Sequence, residues 1–286
     1  MTDTNNLLVS TQWLESHLGT KGLCVIDVSI VVERPVDGRV VFRPGQDEYT
    51  ARHIPGAVFL DLQQDLSADH PDLVFMLPGR DAIAAELAAC GVSADSRVVL
   101  YNRGPSWWAT RVWFMLEYIG FTNAAVLDGG FDAWVAEDRP TESGWIGVSP
   151  GTLTASEGPE NFVDKQQVFD VLHAADVTLL NALSAQQHRG EENPYGRPGH
   201  IPGSANLPAT HVLDEGGRFK SATALAELLP TSKAATIHYC GGGISASLTA
   251  FAERLVGRDN VKVYDGSLSE WARDPNMPLT VGESDG

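Results

Sequence analysis

The sequence predicts two tandem α/β domains, each a central parallel β-sheet covered by helices on both faces. Three observations predict this. First, the chain is written twice. "RHIPGAVFLDL" (52–62) returns as "GHIPGSANLPA" (199–209), "VVLYNRG" (98–104) as "TIHYCGG" (236–242), and "VLDGGFDAW" (126–134) as "VYDGSLSEW" (263–271). Three pairs in the same order mark a duplication, and half a chain is far too long a period for a solenoid unit. Second, within each copy Val/Ile/Leu-rich runs alternate with amphipathic segments, the pattern of βαβ units around a sheet buried on both faces. Third, 286 residues with 43% hydrophobic content suit two ordinary domains, each able to bury a core of its own.

In the first copy, "LCVIDVS" (23–29), "RVVLYN" (97–102) and "AAVLDG" (124–129) read as buried strands, with a helix at "DAIAAELAAC" (81–90). A stretch rich in Gly, Ser, Thr and Pro follows, "RPTESGWIGVSPGTLTASEGPE" (139–160). It separates a first domain, 1–145, from a second, 161–286, with residues 146–160 as the linker. The second copy places strands at "VTLLNAL" (177–183), "ATIHYC" (235–240) and "VKVYDG" (261–266). In "SASLTAFAERL" (245–255), Leu248, Phe251, Ala252 and Leu255 fall at helical spacing.

The formal charge of −17 argues against nucleic acid or an anionic membrane as partner, because no long basic stripe offsets it. A small anionic substrate would need specific Arg or Lys side chains to overcome that background. Cys24, Cys90 and Cys240 are odd in number and widely spaced, and form neither a CxxC pair nor a zinc pattern. A disulfide framework is not expected, and a reducing cytoplasm is the default compartment. The N-terminus carries no signal-peptide pattern, and the apolar runs are too short to span a bilayer.

The stretch "HYCGGGISAS" (238–247) concentrates the chemistry. Cys240 lies at the carboxyl end of a strand, where open α/β sheets place their ligands. Gly241, Gly242 and Gly243 follow, and Ile244 and Ser245 lead into the helix. Glycines let backbone N–H groups converge into a nest at a helix N-terminus, which favours an anion at its centre. A thiolate there is nucleophilic, and a persulfide anion would be held equally well. Cys24 and Cys90, by contrast, read as small buried hydrophobes.

Three rival readings attach to the same stretch. Gly241-Gly242-Gly243-Ile244-Ser245-Ala246 satisfies G-x-G-x-x-A between strand and helix, the form of a dinucleotide-binding fingerprint. Against it, the fingerprint normally opens its sheet, and the matching place in the first copy has no such glycines. A cysteine phosphatase needs an Arg six residues after the cysteine, where this chain has Ala246. A Cys–His hydrolase needs a spatially paired His, and His238, two residues away on the same strand, reads as a structural residue.

The duplicated pattern resembles the two-domain rhodanese family, the thiosulfate and 3-mercaptopyruvate sulfurtransferases. "HIPGAVFLDL", "RVWFMLEYIGF", "LDGGFDAW", "GHIPGSANLP", "CGGGISAS" and "VYDGSLSEW" carry the resemblance across nearly the whole chain. It implies two rhodanese-like domains, the first catalytically silent because Tyr101-Asn102 occupies the place of Tyr239-Cys240. It implies a sulfurtransferase with Cys240 as persulfide carrier and the amides from Gly241 to Ser245 stabilising the sulfur. The implied partners are a small anionic sulfur donor and an acceptor, a thiol (a thioredoxin-like protein among them) or cyanide. No metal or organic cofactor is implied.

In that family a cationic loop goes with thiosulfate and a small neutral one with 3-mercaptopyruvate. The loop here resembles the latter, although Gly242 replaces the inner Ser. The family's donor-binding arginines precede the second "GHIPG", where this chain offers Arg189 and Arg197; the usual Asp-x-Arg is here Asn181-Ala182-Leu183. A non-catalytic rhodanese-type sulfur-binding or regulatory protein is the alternative, opposed by the retained Cys-plus-glycine loop. His53 and His200 read as anchors of their "HIPG" turns. Asp128 and Asp265 read as caps of the short helices that follow, with Ser267 and Glu270 as a capping box.

Overall fold

The computed structural model describes residues 7–33, 40–231 and 234–283. The first half runs β1 (Leu8–Val9), α1 (Thr11–His17), β2 (Leu23–Asp27), a hairpin of β3 (Ile30–Glu33) and β4 (Val41–Pro44), α2 (Gln46–Ala51), β5 (Val58–Phe59), α3 (Arg80–Ala89), β6 (Arg97–Tyr101), α4 (Trp107–Tyr118), β7 (Ala124–Leu127) and α5 (Gly130–Ala136). The second runs β8 (Phe162–Val163), α6 (Lys165–Asp170), β9 (Val177–Asn181), α7 (Ala185–Arg189), β10 (Ala205–Asn206), a 3-10 turn at Ala209–Val212, α8 (Ala222–Leu228), β11 (Ala235–Tyr239), α9 (Ser245–Leu255), β12 (Val261–Tyr264) and α10 (Ser267–Trp271).

The uninterrupted aliphatic runs form the inner strands, because only a strand covered on both faces can bury every side chain. The sheets are ordered β1-β7-β6-β2-β5 and, read from the matching edge, β8-β12-β11-β9-β10, all parallel. The two topologies are identical strand for strand, so the duplication seen in sequence is a duplication of fold. β6 and β11 occupy the middle of their sheets, and the loops leaving their carboxyl ends are structural equivalents. The edge strands β1, β5, β8 and β10 are two residues each, too short to show any periodicity in sequence.

The domains pack through α4 and α9. Trp113 meets Phe251 edge to face at 5.0 Å, and the hydroxyls of Thr110 and Ser247 lie 2.8 Å apart. Flanking loops cross reciprocally. Leu77 N–H of the first domain donates to Asp265 Oδ2 at 2.8 Å, and Phe219 N–H of the second donates to Asp128 Oδ1 at 2.9 Å. The two aspartates expected to cap α5 and α10 therefore serve the interface instead; neither short helix has a side-chain cap.

Residues 146–160 contain no helix or strand, yet they do not hang free. Gly151 N–H donates to Ala88 O at 2.7 Å, Thr152 N–H to Ser93 Oγ at 3.0 Å, and Ser156 N–H to Ile119 O at 2.9 Å. A Cβ on Gly151 or Gly158 would strike the carbonyls of Val92 or Glu117, so both glycines are there for close backbone approach. The connection is strapped along the first domain. Among the described residues no helix is long and apolar enough to cross a membrane.

Candidate active site

β11 delivers the chain to Cys240 in the middle of the second sheet. The cysteine is 2% exposed and begins the turn into α9. All three cysteines are free thiols. Burial pushes Cys24 up from its ordinary value and Cys90 up to about 12, which leaves both protonated and inert near neutrality.

The glycine loop keeps its shape through a residue the sequence reading placed in a capping box. Ser267 does not cap α10; the N-cap is Gly266. Its hydroxyl, fully buried, donates to Tyr264 O at 2.8 Å and accepts from Cys240 N–H at 3.1 Å and Gly243 N–H at 3.0 Å. Leu268 N–H and Ser269 N–H then hold the carbonyls of Cys240 and Gly241 at 3.0 and 2.8 Å. Ser267 sits at φ +50°, a conformation strained for any residue with a Cβ. The equivalent position in the first domain is Gly130, at φ +57°. The second domain accepts the strain and gains the hydroxyl that fixes the loop.

Gly243, at φ +71°, has its N–H committed to Ser267 and is not part of an anion cradle. The N–H groups of Gly241, Gly242, Ile244 and Ser245 donate to no acceptor among the described residues. These four surround the start of an eleven-residue helix, whose dipole favours negative charge at that end. The three glycines are not interchangeable. A Cβ on Gly241 would strike the Tyr195 phenol, and one on Gly243 would stand 2.7 Å from Asp265 O and 3.2 Å from Arg111 Nη1. One on Gly242 meets nothing within 4 Å, so that glycine faces open space.

The first domain supports the loop with Arg111, which the sequence reading did not single out. Its guanidinium is wholly buried, reaches across the interface to donate to Asp265 Oδ1, and donates to Phe75 O at 2.9 Å. It also lies over the Phe162 ring at 4.6 Å. Among the described residues its Nε and Nη1 have no hydrogen-bond partner. A lone arginine within "WWATRVWFML" was the available signal, because a charge in an apolar helix is buried only with a partner.

The first domain's equivalent loop is filled by its own side chains. Asn102 Nδ2 donates to Arg103 O at 2.7 Å and Pro105 O at 2.9 Å, and its Oδ1 accepts from Ala109 N–H at 3.0 Å. The Arg103 guanidinium lies 3.8 Å from the centre of the Phe131 ring. There is no thiol at this place, and the amide side chain occupies the turn.

Arg189 and Arg197 both engage partners outside the loop. Arg189 pairs with Glu191 at 2.8 Å and lies 3.6 Å from Glu283. Arg197 donates to the carbonyls of Ala272 (2.8 Å), Trp271 (3.2 Å), Asp274 (2.6 Å) and Met277 (2.9 Å). That is a clamp on the chain after α10. The histidines of the "HIPG" turns are anchors. His53 Nδ1 bonds Tyr49 O and His200 Nδ1 bonds His188 O, each at 2.8 Å. His238, fully buried, bonds Thr249 Oγ1 at 2.8 Å.

Comparison with known proteins adds four findings. The family described as "Rhodanese-like domain" matches residues 10–137 and again 164–274. A probable 3-mercaptopyruvate sulfurtransferase of Pseudomonas aeruginosa is 33% identical over 293 residues, covering 96% of this chain and 98% of that one. A putative thiosulfate sulfurtransferase, SseB, of Mycobacterium tuberculosis is 32% identical, with 90% of each chain covered. Among solved structures, SseA of Escherichia coli, described as a 3-mercaptopyruvate sulfotransferase with the rhodanese fold, superposes with a TM-score of 0.81. It is 30% identical, with 92% of this chain and 98% of that one covered.

Proposed function

Because the chain belongs to the rhodanese family, in two copies of its domain, we propose that it is a sulfurtransferase in which Cys240 carries the sulfur as a persulfide. The observation that carries this reading is the turn itself: a buried thiol opens a loop in which the N–H groups of Gly241, Gly242, Ile244 and Ser245, at the start of α9, donate to no acceptor among the described residues. Those donors are preorganised, so stabilising a thiolate or a Cys–S–S⁻ group requires no reorganisation at the moment of reaction. The first domain, 1–145, is silent by this reading, residues 146–160 connect, and 161–286 is the catalytic domain.

The Cys240 thiolate attacks the outer sulfur of the donor, forming an S–S bond. The bond between that sulfur and the rest of the donor breaks, and the electron pair leaves with the remainder. From 3-mercaptopyruvate the remainder is the enolate of pyruvate, which takes up a proton; from thiosulfate it is sulfite. A thiol or cyanide then attacks the outer sulfur and restores the Cys240 thiolate. A thioredoxin-like protein is a suitable thiol acceptor.

The small uncharged loop favours 3-mercaptopyruvate as donor. The open face of Gly242 gives that preference a test, since the loop accepts a side chain there. Steady-state rates with both donors and cyanide should follow ping-pong kinetics and favour 3-mercaptopyruvate, and Gly242→Ser should increase the preference. Absence of transfer from either donor would overturn the assignment. A dinucleotide fits less well, because Ser267 takes the Gly243 N–H that a pyrophosphate would use.

A further inference from the structure

The proposed reaction leaves one requirement unmet. The donor is an anion, the protein carries a charge of −17, and the Cys240 loop holds no cation. Arg197 commits its Nε and Nη2 to four carbonyls after α10, and Arg189 pairs with Glu191 and lies near Glu283. Beside the loop, however, opens a cleft of about 370 Å³ lined by Pro194, Tyr195, Gly196, Ser269 and Arg273. Its walls touch the catalytic turn directly. Ser269 N–H holds Gly241 O at 2.8 Å, and the Tyr195 phenol packs against Gly241.

Arg273 supplies the positive charge among the residues lining this cleft. Its side chain is 53% exposed and faces Asp72 of the first domain, itself 64% exposed, at 3.3 Å. Exposed pairs of this kind contribute little and exchange partners readily. The contrast with Arg111, buried against Asp265, is sharp: that pair cannot be given up without stranding a charge.

Building on the sulfurtransferase reading, we propose that Arg273, with the Tyr195 and Ser269 side chains, forms the subsite for the donor's oxyanion end, with Asp72 as the counter-ion that the donor displaces. The shared chemistry is a small carboxylate or sulfonate-type group within reach of a transferable sulfur. Arg273 binds and orients the donor; it takes no part in breaking the sulfur bond.

Two readouts test the subsite. Arg273→Gln should raise KM for 3-mercaptopyruvate and for thiosulfate about ten- to a hundredfold, the value of a charge-assisted hydrogen bond, with kcat changed far less. Arg273→Lys should recover part of the loss, and Asp72→Asn should lower KM for both donors. The second readout needs no sulfur transfer. Cys240 of the intact protein is alkylated with iodoacetate, a carboxylate, and with neutral iodoacetamide. Arg273→Gln should slow only the iodoacetate reaction. An unchanged iodoacetate-to-iodoacetamide ratio refutes the subsite, as does an unchanged KM where transfer occurs. If the wild type transfers no sulfur but the ratio falls in the variant, the anion subsite stands and the sulfurtransferase reading fails.

Discussion

Replacing Ser267 by alanine should disable the catalytic loop while costing the protein a measurable part of its stability. The hydroxyl makes three hydrogen bonds, to Tyr264 O, Cys240 N–H and Gly243 N–H, with no exposure to solvent. Alanine leaves all three backbone groups unmatched, and each such buried group costs about 1–3 kcal/mol. Taking the low end for each, because the open side of the turn at Gly242 allows some relaxation, the expected loss is about 3 kcal/mol. Alanine also keeps the strain of φ +50°, whereas glycine relieves it by about 1 kcal/mol. Ser267→Gly should therefore be the more stable of the two variants. Urea denaturation of both variants reads the stabilities. Persulfide loading with either donor reads the loop, and should fall at least about tenfold as the amides lose alignment. An alanine variant within about 0.5 kcal/mol of wild type with unchanged loading would refute the role given to Ser267, that margin being the ordinary scatter of neutral substitutions. If Ser267→Gly proved less stable than Ser267→Ala, the assignment of strain would be wrong.

Other perturbations test other parts of the site. Arg111→Met should destabilise the folded chain by about 3–5 kcal/mol, because it strands the buried Asp265 carboxylate; adding Asp265→Asn should restore a large share, and a calorimetric comparison of the single and double variants decides it. Gly243→Ala should lower Tm clearly, since it combines φ +71° with a 2.7 Å approach to Asp265 O, while Gly242→Ala should leave Tm nearly unchanged. Peptide mapping after brief alkylation of the native protein at neutral pH should find Cys240 modified and Cys90 protected until unfolding, because burial holds the Cys90 thiol up at about 12. His188 is pushed down from 6.5 to about 4, first by burial and then by His200 and Arg189, and stacks on His200 at 3.7 Å. Between those pH values the unfolded chain binds the proton and the folded one does not. This contribution to stability is therefore intact above about 6.5 and lost as pH falls toward about 4. Denaturation midpoints across that window should drop in the wild type and flatten in His188→Gln.

Much of this architecture was readable because burial on both faces leaves its mark on composition. The inner strands β2, β6, β7, β9, β11 and β12 are the aliphatic runs, and α9 follows the spacing of Leu248, Phe251, Ala252 and Leu255. The edge strands and the β3–β4 hairpin were illegible, since two to four residues pairing at a rim carry no periodic signal. At the site, the position of Cys240 at a strand end before glycines could be read locally. What holds that turn could not, because Ser267 and Arg111 come from a later turn and from the other domain. The Ser267–Glu270 spacing fits a capping box, and only the tertiary fold turns the hydroxyl toward the glycine loop instead. Comparing the two copies offered a clue, since "LDGGF" against "YDGSL" sets Gly130 opposite Ser267. The resemblance points to Arg189 and Arg197 by their place before the second "GHIPG". The fold spends one on glutamates and the other on four carbonyls, partners invisible without the path of the chain after α10.

The most direct test is mass spectrometry of the intact protein after incubation with 3-mercaptopyruvate or thiosulfate, with the modified peptide then mapped. A sulfurtransferase that works through Cys240 gains one sulfur atom, located on the peptide containing residue 240, and loses it to cyanide; Cys240→Ser gains none. Sulfur that fails to add with either donor, that resides on Cys24 or Cys90, or that still loads onto Cys240→Ser would contradict the account.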